Sequence, residues 1–148
     1  MIQWKLFKFS SLSADYLYKA LKLRQDVFII EQNCIYPDID NLDPVSLHLY
    51  MYQNDEFTGY LRIVPPDKKF TEVSIGRIVI HPEFRKQKLG YKLVKKGIEI
   101  ASDNFEGDIR IEAQFYLQNF YEKCGFIKTS EIYDVDGIDH IQMIFDNG

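Results

Sequence analysis

The sequence predicts an α/β fold: a mixed, mostly antiparallel sheet of about seven strands with helices on its faces. Three observations carry this expectation. Hairpin signals stand near both ends of the chain, and two helical segments in its second half are placed as crossovers. The resulting order, β-α-β-β-β-α-β-α-β-β, is not the strict strand-helix alternation of a doubly wound nucleotide-binding fold.

Each element has a local reason. Ile2 to Phe9 alternates through Ile2, Trp4 and Leu6 and reads as a strand. Ser11 or Ser13 can cap the next segment, whose apolar residues Leu17, Leu21 and Phe28 recur at helical spacing, and which fades near Glu31-Gln32-Asn33. Cys34 to Pro44 is dense in Pro, Asp and Asn and reads as a loop. Leu47 to Gln53 and Phe57 to Val64 form a hairpin around Asn54-Asp55-Glu56; Pro65-Pro66-Asp67 interrupts it, and Thr71 to Ile80 is a further strand stopped by Pro82. A helix follows with Leu89, Leu93 and Ile100 on its apolar stripe. Ile109 to Ala113 reads as a short strand, and Phe115 to Lys123 as a short helix closed by Gly125. Phe126 to Tyr133 and Ile138 to Phe145 pair through Asp136-Gly137, a strong two-residue hairpin signal.

At 148 residues the chain has the length of one domain, read here as residues 1–148, and can bury about 70% of its unfolded surface without staples. A hydrophobic share of 46% with 27% charged residues is globular usage. A net charge of −4 argues against a nucleic-acid partner. The two cysteines, Cys34 and Cys124, are far apart and suit a reducing compartment; with no apolar run near ~20 residues and no signal-peptide pattern, the expectation is a cytoplasmic protein away from the membrane. Asp38, Asp40 and Asp43 lack the glycine and glutamate of a calcium loop, and the histidines and cysteines lack zinc spacing, so no metal is implied; the aspartates read as turn residues at the mouth of an amine site. Monomer and homodimer both stay open.

The stretch richest in chemistry is Ile78-Val79-Ile80-His81-Pro82-Glu83-Phe84-Arg85-Lys86-Gln87-Lys88-Leu89-Gly90, a strand, a proline stop and a basic loop opening a helix. The start of a helix offers unpaired N–H groups and the positive end of its dipole, which favour phosphate. Arg85, Lys86 and Lys88 add charge, and Gly90 removes a side chain where a pyrophosphate approaches. The alternative is a solvated basic helix start.

These residues resemble motif A of the GNAT superfamily of acetyl-CoA-dependent N-acyltransferases, (Arg/Gln)-x-x-Gly-x-(Gly/Ala), with Arg85 at the first position, Gly90 at the last, and Lys88 in place of the middle glycine. Gln114-Phe115-Tyr116 through Phe120-Tyr121-Glu122-Lys123-Cys124-Gly125-Phe126 resembles motif B. Leu23-Arg24-Gln25-Asp26-Val27-Phe28, Glu31-Gln32, Tyr36, Asp40, Asp43, His48, Ile75-Gly76-Arg77 and Gly137-Ile138-Asp139-His140-Ile141-Gln142-Met143 are similar to its ElaA-like branch, over nearly the whole chain.

The resemblance implies a sheet splayed beside Ile80, acetyl-CoA (coenzyme A after transfer) as co-substrate, and a primary amine as acceptor. It places the cofactor on Ile78, Val79, Ile80, Arg85, Lys86, Gln87, Lys88, Leu89, Gly90, Gln114 and Tyr121, with Tyr121 at the general-acid position. A phenol of pKa near ~10 is neutral at pH 7 and can donate to a departing thiolate. Relatives often carry a carboxylate where this chain has Gly76 and Arg77, so the base is open: Glu31 is the first candidate, with His48 and His140 behind it. Arg24 and Arg77 are read either as binding an anionic part of the acceptor or as buried ion-pair partners, and with His48 and His140 they are the candidates for the acceptor side. The leading expectation is a small-molecule N-acetyltransferase; a protein or peptide acetyltransferase and a non-catalytic coenzyme-A sensor are the alternatives.

Overall fold

The computed structural model describes all of residues 1–148. Its eight strands are β1 (Ile2–Lys8), β2 (Leu47–Gln53), β3 (Glu56–Val64), β4 (Val73–Ile80), β5 (Ile109–Gln114), β6 (Phe126–Lys128), β7 (Tyr133–Val135) and β8 (Ile138–Phe145). They form one sheet in the order β1-β2-β3-β4-β5-β8-β6, with β7 also paired to β8. Every neighbouring pair is antiparallel except β4 and β5. The mixed, mostly antiparallel sheet expected from the sequence is therefore present.

The strand count differs from the expected seven for a local reason. Phe126 to Tyr133 is split: Lys128 pairs with Met143 and Tyr133 with His140, so residues 129–132 lie opposite only Ile141 and Gln142. The surplus bulges out, and Ser130 Oγ accepts the Gln142 backbone N–H (2.8 Å) in place of a ladder carbonyl. The two tight hairpins need left-handed backbone, and Asn54, Asp55, Asp136 and Gly137 all supply positive φ.

Three helices cover the sheet. Helix α1 (Ala14–Arg24) is capped by Ser13, whose hydroxyl accepts the Tyr16 N–H at 3.1 Å. Beyond Arg24 the chain widens into a π-helical segment, Gln25–Glu31, that sequence periodicity could not separate from the helix before it. Ala20, Leu23 and Val27 from this layer pack on Tyr50, Tyr52, Tyr60 and Val79. On the opposite face α2 (Leu89–Asn104) sets Leu93, Val94, Ile98 and Ala101 against Leu61, Ile63, Ile75, Ile109 and Ile111, with α3 (Gln118–Lys123) alongside. Gly97 marks the closest approach, since a β-carbon there would lie 2.8 Å from Leu61 Cδ2.

The loop between the π segment and β2 is held by charge. Arg24 and Arg62 are fully buried, and Asp38 and Asp43 nearly so. Arg24 binds Asp38 (Nε to Oδ2, 2.9 Å) and Asp43 (Nη1 to Oδ1, 2.9 Å); Arg62 binds the same Asp43 oxygen (2.9 Å) and Asp40. Arg77 Nη2 donates to the Asp38 carbonyl at 3.0 Å and to Asp40 at 3.3 Å. Its Nε lies 2.8 Å from Asp38 Oδ1 as an ion pair, off the angle of a hydrogen bond. The three aspartates read as mouth-lining turn residues are thus counter-ions to three arginines, because a buried guanidinium requires a carboxylate.

Removing one partner exposes that dependence. Asp43→Ala leaves two buried guanidinium groups short of an anion and is expected to lower the unfolding free energy by about 3–5 kcal/mol in urea titrations. Burial pushes the Asp40 and Asp43 carboxyls upward, but bonding to Arg62 and Arg24 outweighs it and both pKa values fall below the ordinary carboxylate range. A depressed folded-state pKa gives stability that is complete above the unfolded value, about 4, and is lost as pH falls through the folded one. Melting temperature should therefore drop below about pH 4, and less steeply in Asp43→Ala.

Candidate active site

The site begins where the sheet fails to close. Strands β4 and β5 pair only through Val73 with Ile109 and Ser74 with Arg110, and then diverge. The cause lies in β4. Tyr60 pairs with Val79 and Arg62 with Gly76, so β4 carries one surplus residue against β3. Arg77 takes it up in a left-handed conformation, φ 51°. Such a bulge bends its strand and turns it from its neighbour. From Ile75 onward the β5-facing edge of β4 has no strand partner.

A cleft of about 990 Å³ occupies this seam. Its wall draws on the α2 and α3 side through Phe84, Leu89, Gly90, Phe120 and Tyr121, and on the other side through Tyr36, Arg77, Glu112 and His140. Of the residues expected at the cofactor, Ile78, Val79, Ile80, Arg85, Lys86, Lys88, Leu89, Gly90, Gln114 and Tyr121 all line it; Gln87 does not. Helix α2 starts at the cleft with no side-chain cap and no acidic residue in its first turn, so its leading N–H groups stay available. Lys88 precedes it at φ 59°, ψ 24°, and Lys86 has φ 72°. The position that holds glycine in the motif does require left-handed backbone here, and lysine occupies it at a cost.

Two clasps cross the cleft from the end of the π segment. Glu31 binds Arg85 through both oxygens, at 2.6 and 2.9 Å, and Gln32 exchanges amide hydrogen bonds with Gln114 at 3.2 and 3.5 Å. Bonding to Arg85 holds the Glu31 carboxyl below its usual range. That makes Glu31 first of all the counter-ion of Arg85. Tyr121 is nearly buried, edge-on to Phe120 and Phe126. Burial is the main cause that raises its phenol pKa, with Cys124 and Tyr116 adding, and no hydrogen bond contributes. Burial also pushes the Cys124 thiol up to about 11.

The residues expected on the acceptor side separate. Arg77 and His140 line the cleft, with His140 Nδ1 2.7 Å from the Ile138 carbonyl. Arg24 and His48 do not line it. Arg24 is spent on Asp38 and Asp43, and His48 lies between the Tyr60 hydroxyl (Nδ1, 2.7 Å) and the Asp43 carbonyl (Nε2, 2.9 Å). Those contacts assign the neutral tautomer with Nε2 donating, and burial, the largest cause, lowers the His48 pKa. The structure adds Gln32, Tyr36, Lys69 and Glu112 to the cleft. Gln32 and Tyr36 were marked only by the family resemblance, Glu112 had a signal in its alternation with Gln114 on the polar face of β5, and Lys69 had none.

A splayed α/β sheet that brings an uncapped helix start, basic side chains and a buried tyrosine into one cleft suits an acyltransferase with an anionic donor. A family model described as "Acetyltransferase (GNAT) domain" matches residues 14–146, and the chain belongs to that family. It is 40% identical over 146 residues to Protein ElaA of Escherichia coli (strain K12), covering 97% of this chain and 95% of that protein. The crystal structure of Escherichia coli ElaA superposes with a TM-score of 0.91 at 38% identity, over 99% of this chain and 100% of that one. An acyl-CoA N-acyltransferase from Pseudomonas aeruginosa gives 0.91 at 33% identity, over 97% and 99%.

The left-handed lysine supports a direct test. Relief of about 1–2 kcal/mol of backbone strain against about 0.5–1 kcal/mol of added chain entropy should make Lys88→Gly more stable by up to about 1 kcal/mol in thermal or urea unfolding.

Proposed function

We propose that the protein transfers an acetyl group from acetyl-coenzyme A to a primary amine of a small molecule, by direct attack through a tetrahedral intermediate. The observation that carries this reading is the open β4–β5 seam, which joins an anion-binding helix start to a buried phenol in one cleft. The enzyme is a GNAT acyltransferase and acetyl-coenzyme A is its co-substrate. Arg85, Lys86 and Lys88 with the first N–H groups of α2 hold the phosphates. The unpaired edge of β4, at Ile78 and Ile80, holds the pantetheine arm as an added strand, and Gln114 donates to its amides. A backbone N–H of the same strand stabilises the oxyanion.

Tyr121 completes the set by holding a proton at its hydroxyl where the sulfur departs. Its raised pKa keeps the phenol protonated throughout the neutral range. A phenol without an internal hydrogen-bond partner also favours turnover over a coenzyme-A sensor. Cys34 Sγ reaches the Asp136 carbonyl at 3.4 Å, tying the 34–37 loop to the last hairpin beside the acceptor side. That enclosure favours a small amine over a peptide segment. Residues 1–148 act as one domain in this reading. No helix is long and apolar enough to cross a membrane, no group of three His, Cys, Asp or Glu side chains is placed to hold a metal, and two free thiols suit the cytoplasm.

Two substitutions test separate parts of this reading. Arg85→Ala should weaken acetyl-coenzyme A and free coenzyme A alike, by about 1–3 kcal/mol in calorimetric titration at low salt, and an unchanged affinity removes Arg85 from the site. Tyr121→Phe should lower kcat by about 10²–10⁴ with donor affinity nearly constant, and the loss should shrink with thioesters of more acidic thiols. A full-rate variant with chemistry rate-limiting would assign the proton to another source.

A further inference from the structure

Glu112 is placed differently from the other acids of the cleft. Three carboxylates line it: Glu31, Asp136 and Glu112. Glu31 has both oxygens on Arg85, and Asp136 sits at the exposed tip of a hairpin. Glu112 is 23% exposed and stands where the seam opens. The last pair of the parallel ladder is Ser74 with Arg110, so two residues further on lie Gly76 in β4 and Glu112 in β5, on the same face of the sheet. A β-carbon built on Gly76 would meet nothing within 4 Å, so the space beside that strand is open.

One Glu112 oxygen accepts the Tyr133 hydroxyl at 2.7 Å, and the other faces Lys69 Nζ at 3.3 Å. Two of about four lone-pair positions on the carboxylate are thereby used. The second partner is itself a primary ammonium, delivered by the loop before β4, 28% exposed and also lining the cleft. The chain thus shows what this carboxylate binds. Arg62 and Arg77 are taken by Asp38, Asp40 and Asp43, and Arg110, two residues back on the same face of β5, is taken by Glu72 and Gln142, which leaves Glu112 free of a guanidinium.

We propose that Glu112 is the anchor for the acceptor's amino group, that the acceptor is a cationic primary amine, and that its ammonium takes the place of Lys69 Nζ on the Glu112 carboxylate. This rests on the acetyltransferase reading above. A carboxylate accepts a hydrogen bond from nitrogen in either protonation state, so one contact serves the ammonium that arrives and the amine that reacts once its extra proton has passed to solvent water. Burial alone would raise the Glu112 pKa, but Tyr133, Lys69 and the nearby His140 outweigh it, which keeps the anchor ionised. Tyr133 fixes its direction. Lys69 is then a resident counter-ion that keeps the carboxylate from standing uncompensated until the acceptor binds.

The test compares propylamine, charged at neutral pH, with aniline, which is not, by thiol release at saturating acetyl-coenzyme A and by titration of the coenzyme-A-bound protein. The wild type should prefer propylamine. Glu112→Gln should raise the propylamine KM about 10- to 100-fold, the loss of a charge-assisted hydrogen bond, raise the aniline KM by a smaller factor, since a neutral amine loses a weaker bond, and leave acetyl-coenzyme A affinity unchanged. Lys69→Met should lower the propylamine KM by up to about 5-fold, the worth of a partly exposed pair, and carries the test alone should Glu112→Gln fail to fold. An unaltered KM in Glu112→Gln, a raised one in Lys69→Met, or a wild type that binds acetyl-coenzyme A without engaging propylamine each overturns the anchor and leaves the donor reading standing. A wild type that does not bind acetyl-coenzyme A removes both.

Discussion

One missing stretch of hydrogen bonds organises this protein. Two parallel residue pairs join the halves of the sheet, and beyond them β4 turns away from β5. A sheet edge inside a folded protein leaves donors and acceptors that must be satisfied by something else. Here the edge faces a cleft rather than a strand, so its backbone groups stay open to whatever enters the cleft. The bulge at Arg77 opens it, and α2 and α3 wall one side with apolar residues. The start of α2 then delivers its dipole to the same opening.

The other side of the seam is shaped by charge. Arg24, Arg62 and Arg77 gather Asp38, Asp40 and Asp43 from a loop that has no regular structure over most of its length. These pairs tie α1, β3 and β4 to the loop that brings Tyr36 to the cleft. A buried network of this kind adds little net stability compared with apolar packing, but it tolerates only one arrangement of its partners. That arrangement is also what seats Tyr36, whose hydroxyl binds Asp38, at the cleft wall.

The succession of strands and helices, both tight hairpins and the basic loop before α2 were legible because each depends on neighbours in sequence: alternation, turn residues, and a basic run at a helix start. Lys88 illustrates the limit. Its departure from glycine was visible, but the φ of its position was not, because no spacing rule reports a backbone angle. The split of the strand after Phe126 needed the register of β8 to appear. Arg24 and His48 looked like site residues by type. Their burial comes from Asp38, Asp43 and Tyr60, and those pairings span up to 19 residues with no periodicity to announce them. Glu112 was readable as a polar-face residue of its strand, but its place at the throat depends on where a distant strand stops pairing.

The last residue of the π segment and the one after it each hold a partner across the cleft, Glu31 on Arg85 and Gln32 on Gln114. Any ligand that recruits Arg85 or Gln114 must take it from its present partner, so association is an exchange of hydrogen bonds rather than a gain of them. The measured affinity then reports a difference between two competing acceptors, one from the ligand and one from the helix. Because the helix partners are neighbours on one segment, their release is shared. What engages Arg85 thereby influences how firmly the π segment is held and how free Gln114 is, with Glu31 and Gln32 as the common link.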